Sequence, residues 1–122
     1  MNINIYYGGR GLVDDPTILV INKIQEVLDE LNVNVNRYNL YEMKNTITTL
    51  SQTVTEADGI ILATTVEWVG MGGYMQTFLD SCWLYSDKSQ ILDKYMFPVV
   101  MARTYGEREV TLALNNSWEI IG

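Results

Sequence analysis

The run Glu56-Ala57-Asp58-Gly59-Ile60-Ile61-Leu62-Ala63-Thr64 decides the fold class. A polar turn ending in Gly59 leads into an unbroken apolar stretch of strand length. A strand with one wet face alternates polar and apolar residues. A continuous run implies burial on both faces, as in a parallel sheet covered by helices on each side. Upstream, Ile3-Asn4-Ile5-Tyr6-Tyr7 alternates and enters Gly8-Gly9-Arg10-Gly11, a strand followed by a glycine-rich loop. Asp15-Pro16 marks a helix start, with Asp as cap and Pro at the first helical position. Ile18, Ile21, Ile24, Leu28 and Leu31 then recur at steps of three and four, widened by Val20 and Val27, and predict an amphipathic helix. Residues 33–38 alternate with Asn and Arg as a half-exposed strand does. Met43, Ile47, Leu50 and Val54 predict a second helix, in a Thr-rich segment that favours helix poorly.

Downstream of the central run comes a loop over 66–73, then a helix with Met75, Phe78, Leu79, Cys82 and Trp83 on one side. Residues 86–95 read as a polar loop with a helical turn, 97–102 as a strand, 103–106 as a loop, and Glu107 to about Ile120 as a last helix. Trp118 and Tyr85 are expected to pack inside. Strands and helices thus alternate four times within one α/β domain over 1–122, which calls for a parallel sheet with helices on both faces. Ligands of such sheets sit beyond the carboxyl ends of the strands, where the strand order reverses. Three loops reach that end, 8–15, 64–73 and 103–106, and all carry glycine. If the sheet stops at 97–102, its apolar edge needs another copy of the chain, as in a homodimer, or a continuation of the domain.

The composition excludes several chemistries. The chain of 122 residues is 48% hydrophobic and carries a net charge of −7 with no histidine and one cysteine. A negative surface without a basic stripe repels phosphate backbones, so no nucleic-acid partner is expected. Without histidine there is no Ser-His-Asp triad, Cys-His dyad or His-ligated zinc. A lone Cys82, no signal-like N-terminus and no long apolar run lead to the expectation of a cytoplasmic protein without a membrane partner. Asp14 and Asp15 read as a cap and dipole compensation rather than a catalytic pair. A dinucleotide fingerprint fails because Asp14 stands where its third glycine belongs, and no Gly-Lys-Ser/Thr follows to make a P-loop.

One stretch resembles a known family. Asp58-Gly59-Ile60-Ile61-Leu62-Ala63-Thr64-Thr65-Val66-Glu67-Trp68-Val69-Gly70-Met71-Gly72-Gly73-Tyr74-Met75-Gln76-Thr77-Phe78-Leu79-Asp80 resembles the NAD(P)H-dependent FMN reductases of the flavodoxin-like superfamily. There a buried strand ends in a Pro-x-aromatic turn, a Gly-Met-(Ser/Gly)-Gly segment follows, and the next helix carries Lys-Asn-Phe-(Leu/Ile)-Asp. The resemblance implies a flavodoxin-like sheet of order 2-1-3-4, with its fifth strand missing or supplied by another chain. It implies FMN as cofactor, NADPH or NADH as reductant, and a quinone-like or other small molecule as electron acceptor. The flavin ring would rest against Thr65, Val66, Glu67, Trp68, Gly70, Met71, Gly72 and Gly73 and against Arg103, Thr104, Tyr105 and Gly106. The phosphate would lie over Gly8, Gly9, Arg10, Gly11 and Thr17. The flavin carries the chemistry, so neither a catalytic side chain nor a metal is expected.

The chain departs from that pattern at three places. Thr65 stands for the proline of the turn, Glu67 for a residue that is often aromatic, and Asp14 and Asp15 occupy a loop the family fills with Ser and Thr. The cluster Gly8 to Gly11 serves either a sharp turn or an anion cradle, and Glu67 is either solvated or a flavin contact. Trp68 is expected to face the ligand. The alternative to an enzyme is a non-enzymatic electron-carrier or interaction module with weak or lost FMN binding.

Overall fold

In a computed structural model, β1 (Asn2–Tyr7) pairs parallel with β2 (Asn34–Asn39), with Asn2 opposite Asn34 and Asn4 opposite Asn36. Side-chain amides bridge both pairs, at 3.1 and 3.3 Å, and so fix the register. On its other side β1 pairs with β3 (Gly59–Thr65), and β3 with β4 (Tyr95–Met101), giving a four-stranded parallel sheet of order β2-β1-β3-β4. The expected order is therefore the observed one. The structure describes residues 1–43, 46–66, 70–86, 91, 94–102 and 106–121, with the backbone alone for 48, 120 and 121.

Residues alternate across the central strands as the two-sided burial requires. Tyr6, Ile60 and Leu62 face a core shared with α2 (Ile47–Leu50), α3 (Gly73–Tyr85) and α4 (Glu107–Ile121). Ile5, Tyr7, Ile61, Ala63 and Val99 face α1 (Pro16–Glu30), whose Ile21 is fully buried. Tyr6 anchors the first core, its ring stacked on Phe78 at 4.3 Å and on Tyr38 at 5.2 Å, with its hydroxyl 2.6 Å from that of Thr53. The α1 stripe ends before Leu31, which is exposed with Val27.

The expected second helix is broken. Residues Leu40–Glu42 and Ser51–Glu56 are 3₁₀ turns flanking the single helical turn of α2. The threonines explain it. The hydroxyls of Thr46, Thr49, Thr53 and Thr55 each donate to the carbonyl three residues back, side-chain bonds to the backbone that compete with a continuous helix. The strand expected at 97–102 begins two residues earlier, at Tyr95. Within the expected loop 86–95, Ile91 is buried in the core, and most of the remainder lies outside the described residues. The α3 stripe is expected to be core or dimer interface. Met75, Phe78, Leu79 and Cys82 are buried in the core, whereas Trp83 is 48% exposed. Of the two residues expected to pack, Trp118 is buried and Tyr85 is 64% exposed. Among the described residues no helix is long and apolar enough to cross a membrane.

Candidate functional site at the strand ends

The strand order reverses between β1 and β3, so the crevice beyond their carboxyl ends is where this topology places a ligand. Two loops border it. The first follows β1. Gly8 N–H continues the sheet by donating to the Ala63 carbonyl at 2.8 Å, and the chain then turns through Gly9, Arg10 and Gly11 to Asp15 at the start of α1. A Cβ on Gly8 would lie 2.7 Å from Met75 Cβ, and one on Gly9 would lie 2.2 Å from the Tyr7 hydroxyl. Gly11, with φ of 75°, passes so close to Tyr41 that a Cβ would lie 2.3 Å from its ring. All three glycines admit the protein's own side chains.

Beneath this loop the Asp15 carboxylate is only 4% exposed. It accepts from the Thr17 N–H at 2.9 Å, from the Thr65 hydroxyl at 2.5 Å, and from the Tyr7 hydroxyl. The Tyr7 oxygen in turn accepts the Gly11 N–H at 3.2 Å. The Thr17 hydroxyl, 2.7 Å from that of Thr65, donates to the Thr64 carbonyl at 3.1 Å. Burial, and then the bond to Asp15, push the Tyr7 pKa up, so this phenol stays protonated and donates. Among the described residues no buried side-chain nitrogen or oxygen lacks a partner, so the network is closed on itself.

A phosphate does not fit here. A helix N-terminus binds anions through its free amides and its positive dipole end. In α1 the first residue is Pro16, which has no N–H, and the Thr17 N–H is taken by Asp15. The negative charge that this helix end favours is already present as Asp15. Thr17, expected to contact phosphate, is fully buried with its hydroxyl turned to the sheet, and Arg10 is exposed on the loop.

The second loop follows β3. The Val66 N–H bonds the Met101 carbonyl at 2.9 Å, and the Thr64 hydroxyl holds the Met71 carbonyl at 2.7 Å. Val66 and Met71 pack against the larger core. Gly72 adopts φ of 85° and ψ of 158°, a glycine conformation, and as the cap of α3 it offers no side chain to the helix amides. A Cβ on Gly73 would meet nothing within 4 Å. Among the described residues the space beside Gly73 is open. Gly106 precedes α4 and accepts the Val110 N–H through its carbonyl. Glu67, Trp68, Arg103, Thr104 and Tyr105, expected around a flavin ring, lie outside the described residues.

Of the expected residues, the structure describes Gly8, Gly9, Arg10, Gly11, Thr17, Thr65, Val66, Gly70, Met71, Gly72, Gly73 and Gly106, on the segments that follow β1 and β3 and precede α4. It adds Tyr7, Tyr41 and the inward carboxylate of Asp15, none of which is among the residues expected at the site. Their signal was present for Tyr7: alternation from Ile3 and Ile5 puts it on the α1 face, directly before the glycines. Cys82 is no part of the site; it is buried on α3 and its thiol is pushed up to about 12 by burial.

No curated protein matches the sequence. Solved structures share the fold at low identity. The structure of RosB with a bound 8-demethyl-8-formylriboflavin-5′-phosphate intermediate superposes with a TM-score of 0.83 at 12% identity, over all of this chain. The Trp repressor binding protein from Bacillus subtilis gives 0.74 at 14%, and the NAD(P)H:quinone oxidoreductase from Methanothermobacter marburgensis gives 0.72 at 14%, each over 98% of this chain. This chain spans 60% of the length of the first of these, 80% of the second and 71% of the third. The family model described as NADPH-dependent FMN reductase matches residues 18–122, beginning just past Thr17. The chain belongs to the NADPH-dependent FMN reductase family, and the match that shows it starts where the packed first loop ends.

Proposed function

We propose that this chain is a flavin-dependent NAD(P)H oxidoreductase that passes electrons to a quinone-like or other small diffusible acceptor. The flavin, FMN in the family's description, supplies the hydride chemistry. The observation that carries the reading is the turn after β3. It is fixed from below by Thr64 on the Met71 carbonyl, it exposes the uncapped start of α3, and it leaves open space over Gly73. Amides at such a helix start can hold the polar edge of a ring, and glycine lets that ring approach the backbone. The neighbouring NAD(P)H:quinone oxidoreductase and an FMN-dependent NADH-azoreductase from Bacillus anthracis support the acceptor class. Self-association across the β4 edge belongs to the same proposal, since Tyr95 and Phe97 are 85% and 66% exposed there.

The test uses purified protein and added flavin. Binding is read as a quenched and red-shifted flavin absorbance, and turnover as NAD(P)H oxidation coupled to a quinone. No spectral change up to roughly 100 μM of either riboflavin or FMN discards the reading. Binding without NAD(P)H oxidation leaves the electron-carrier alternative in its place.

A further inference from the structure

The anchor that a 5′-phosphate needs is filled by the protein itself. At the reversal point between β1 and β3, the start of α1 is where general physics places a phosphate. There the buried Asp15 carboxylate takes the Thr17 N–H, the Thr65 hydroxyl at 2.5 Å and the Tyr7 hydroxyl. Gly9 closes over the Tyr7 hydroxyl, and Gly11 is held against Tyr41. A dianion brought to this point meets a fixed negative charge in a water-poor site, where like charges repel most strongly. It also finds the Thr17 N–H and the Thr65 and Tyr7 hydroxyls already bonded to Asp15. We propose that Asp15, held by Tyr7, Thr17 and Thr65, is a built-in substitute for the flavin phosphate, so that this chain selects its flavin by the ring and takes riboflavin at least as well as FMN.

The inference rests on the flavin reading above and sharpens its ligand class to flavins irrespective of a phosphate tail. A flavin held by its ring alone exchanges with solution, so FMN behaves as a diffusible substrate and not as a permanently seated group.

Wild-type protein is titrated with riboflavin and with FMN at one ionic strength, and the ratio of dissociation constants is compared with those of Asp15→Ser and Asp15→Asn. Serine keeps a cap and clears both charge and volume, while asparagine keeps the shape, removes the charge and exchanges one acceptor oxygen for an NH2 donor. Wild type is expected to bind riboflavin as tightly as FMN or more tightly, and inorganic phosphate is expected not to displace riboflavin. Both variants are expected to move the ratio toward FMN by about tenfold, with riboflavin affinity nearly unchanged. If Asp15→Ser does not fold, as judged by circular dichroism, Asp15→Asn and the wild-type ratio still decide. FMN binding about tenfold tighter than riboflavin in wild type overturns the inference and leaves the flavin reading intact. An unchanged ratio in the folded variants also overturns it. Binding of neither flavin by wild type removes both.

Discussion

The two glycine loops at the crest of the sheet look alike in sequence and differ in what they admit. In the loop after β1, Gly8, Gly9 and Gly11 make room for Met75, Tyr7 and Tyr41, and the α1 start beneath is capped by Asp15. In the loop after β3, Gly72 caps α3 without a side chain and Gly73 faces open space. One glycine cluster is thus an interior packing device, whereas at the other no described residue meets a Cβ placed on Gly73 within 4 Å. A glycine-rich loop at a strand end does not identify a ligand site until it is known which atoms fill the missing Cβ.

The strongest way to break this contrast is Gly9→Ala. The new methyl would lie 2.2 Å from the Tyr7 hydroxyl, and Tyr7 cannot retreat because it is fully buried and bonded to Asp15. A loss of about 3 kcal/mol is expected, the upper part of the range for overpacking a filled interior. Denaturant unfolding followed by circular dichroism measures it. A loss below about 1 kcal/mol would mean that the loop is loosely seated and that the first glycine cluster is not a packing device.

Tyr7→Phe tests the polar half of the same packing. The ring stays, but Asp15 loses one donor and the Gly11 N–H loses its acceptor, which is expected to cost about 2 kcal/mol near neutral pH. The pH dependence supplies a second reading. Burial, followed by the bond to Asp15, raises the Tyr7 pKa above its ordinary 10.0 in the folded state. A raised folded pKa gives stability that is complete below the unfolded value and is lost as pH climbs through it toward the folded one. Wild type is therefore expected to lose stability above about pH 10, and Tyr7→Phe to lose it less steeply. Tyr6, raised by burial as well, keeps part of the slope in both proteins. Equal slopes in wild type and variant would show that Tyr7 is not held protonated by its surroundings.

Most of the fold was legible because its signals are local and repeated. The apolar run at 60–64, the Asp15-Pro16 start and the three-and-four spacing of α1 each rest on periodicity or on backbone chemistry; the alternation of elements implies a parallel sheet, and its strand order came from the family resemblance. The second helix was misread because four threonine hydroxyls bond three residues back, a competition that an apolar stripe does not reveal. At the site the difficulty was of another kind. Asp15 was correctly read as a cap, yet the cap is also the carboxylate that Tyr7 and Thr65 hold, and Thr65 lies fifty positions away in the chain. Only the pairing of β1 with β3 brings these groups together.

The gentlest perturbation, Gly73→Ala, asks what the second loop is for. A Cβ there touches nothing within 4 Å, and the residue opens α3. Alanine is better than glycine in a helix because it has less backbone freedom to lose, so a gain of about 0.5 kcal/mol is expected in the ligand-free protein. Flavin titration of the same variant then carries the contrast to its end. If the open space belongs to a flavin ring pressed against the backbone, the methyl enters that space, and affinity falls by about tenfold while stability rises. Opposite signs of the two effects are the mark of a glycine kept for a ligand at the expense of the fold. A variant that gains stability and binds flavin unchanged would place the ring elsewhere and leave Gly73 with no assigned role.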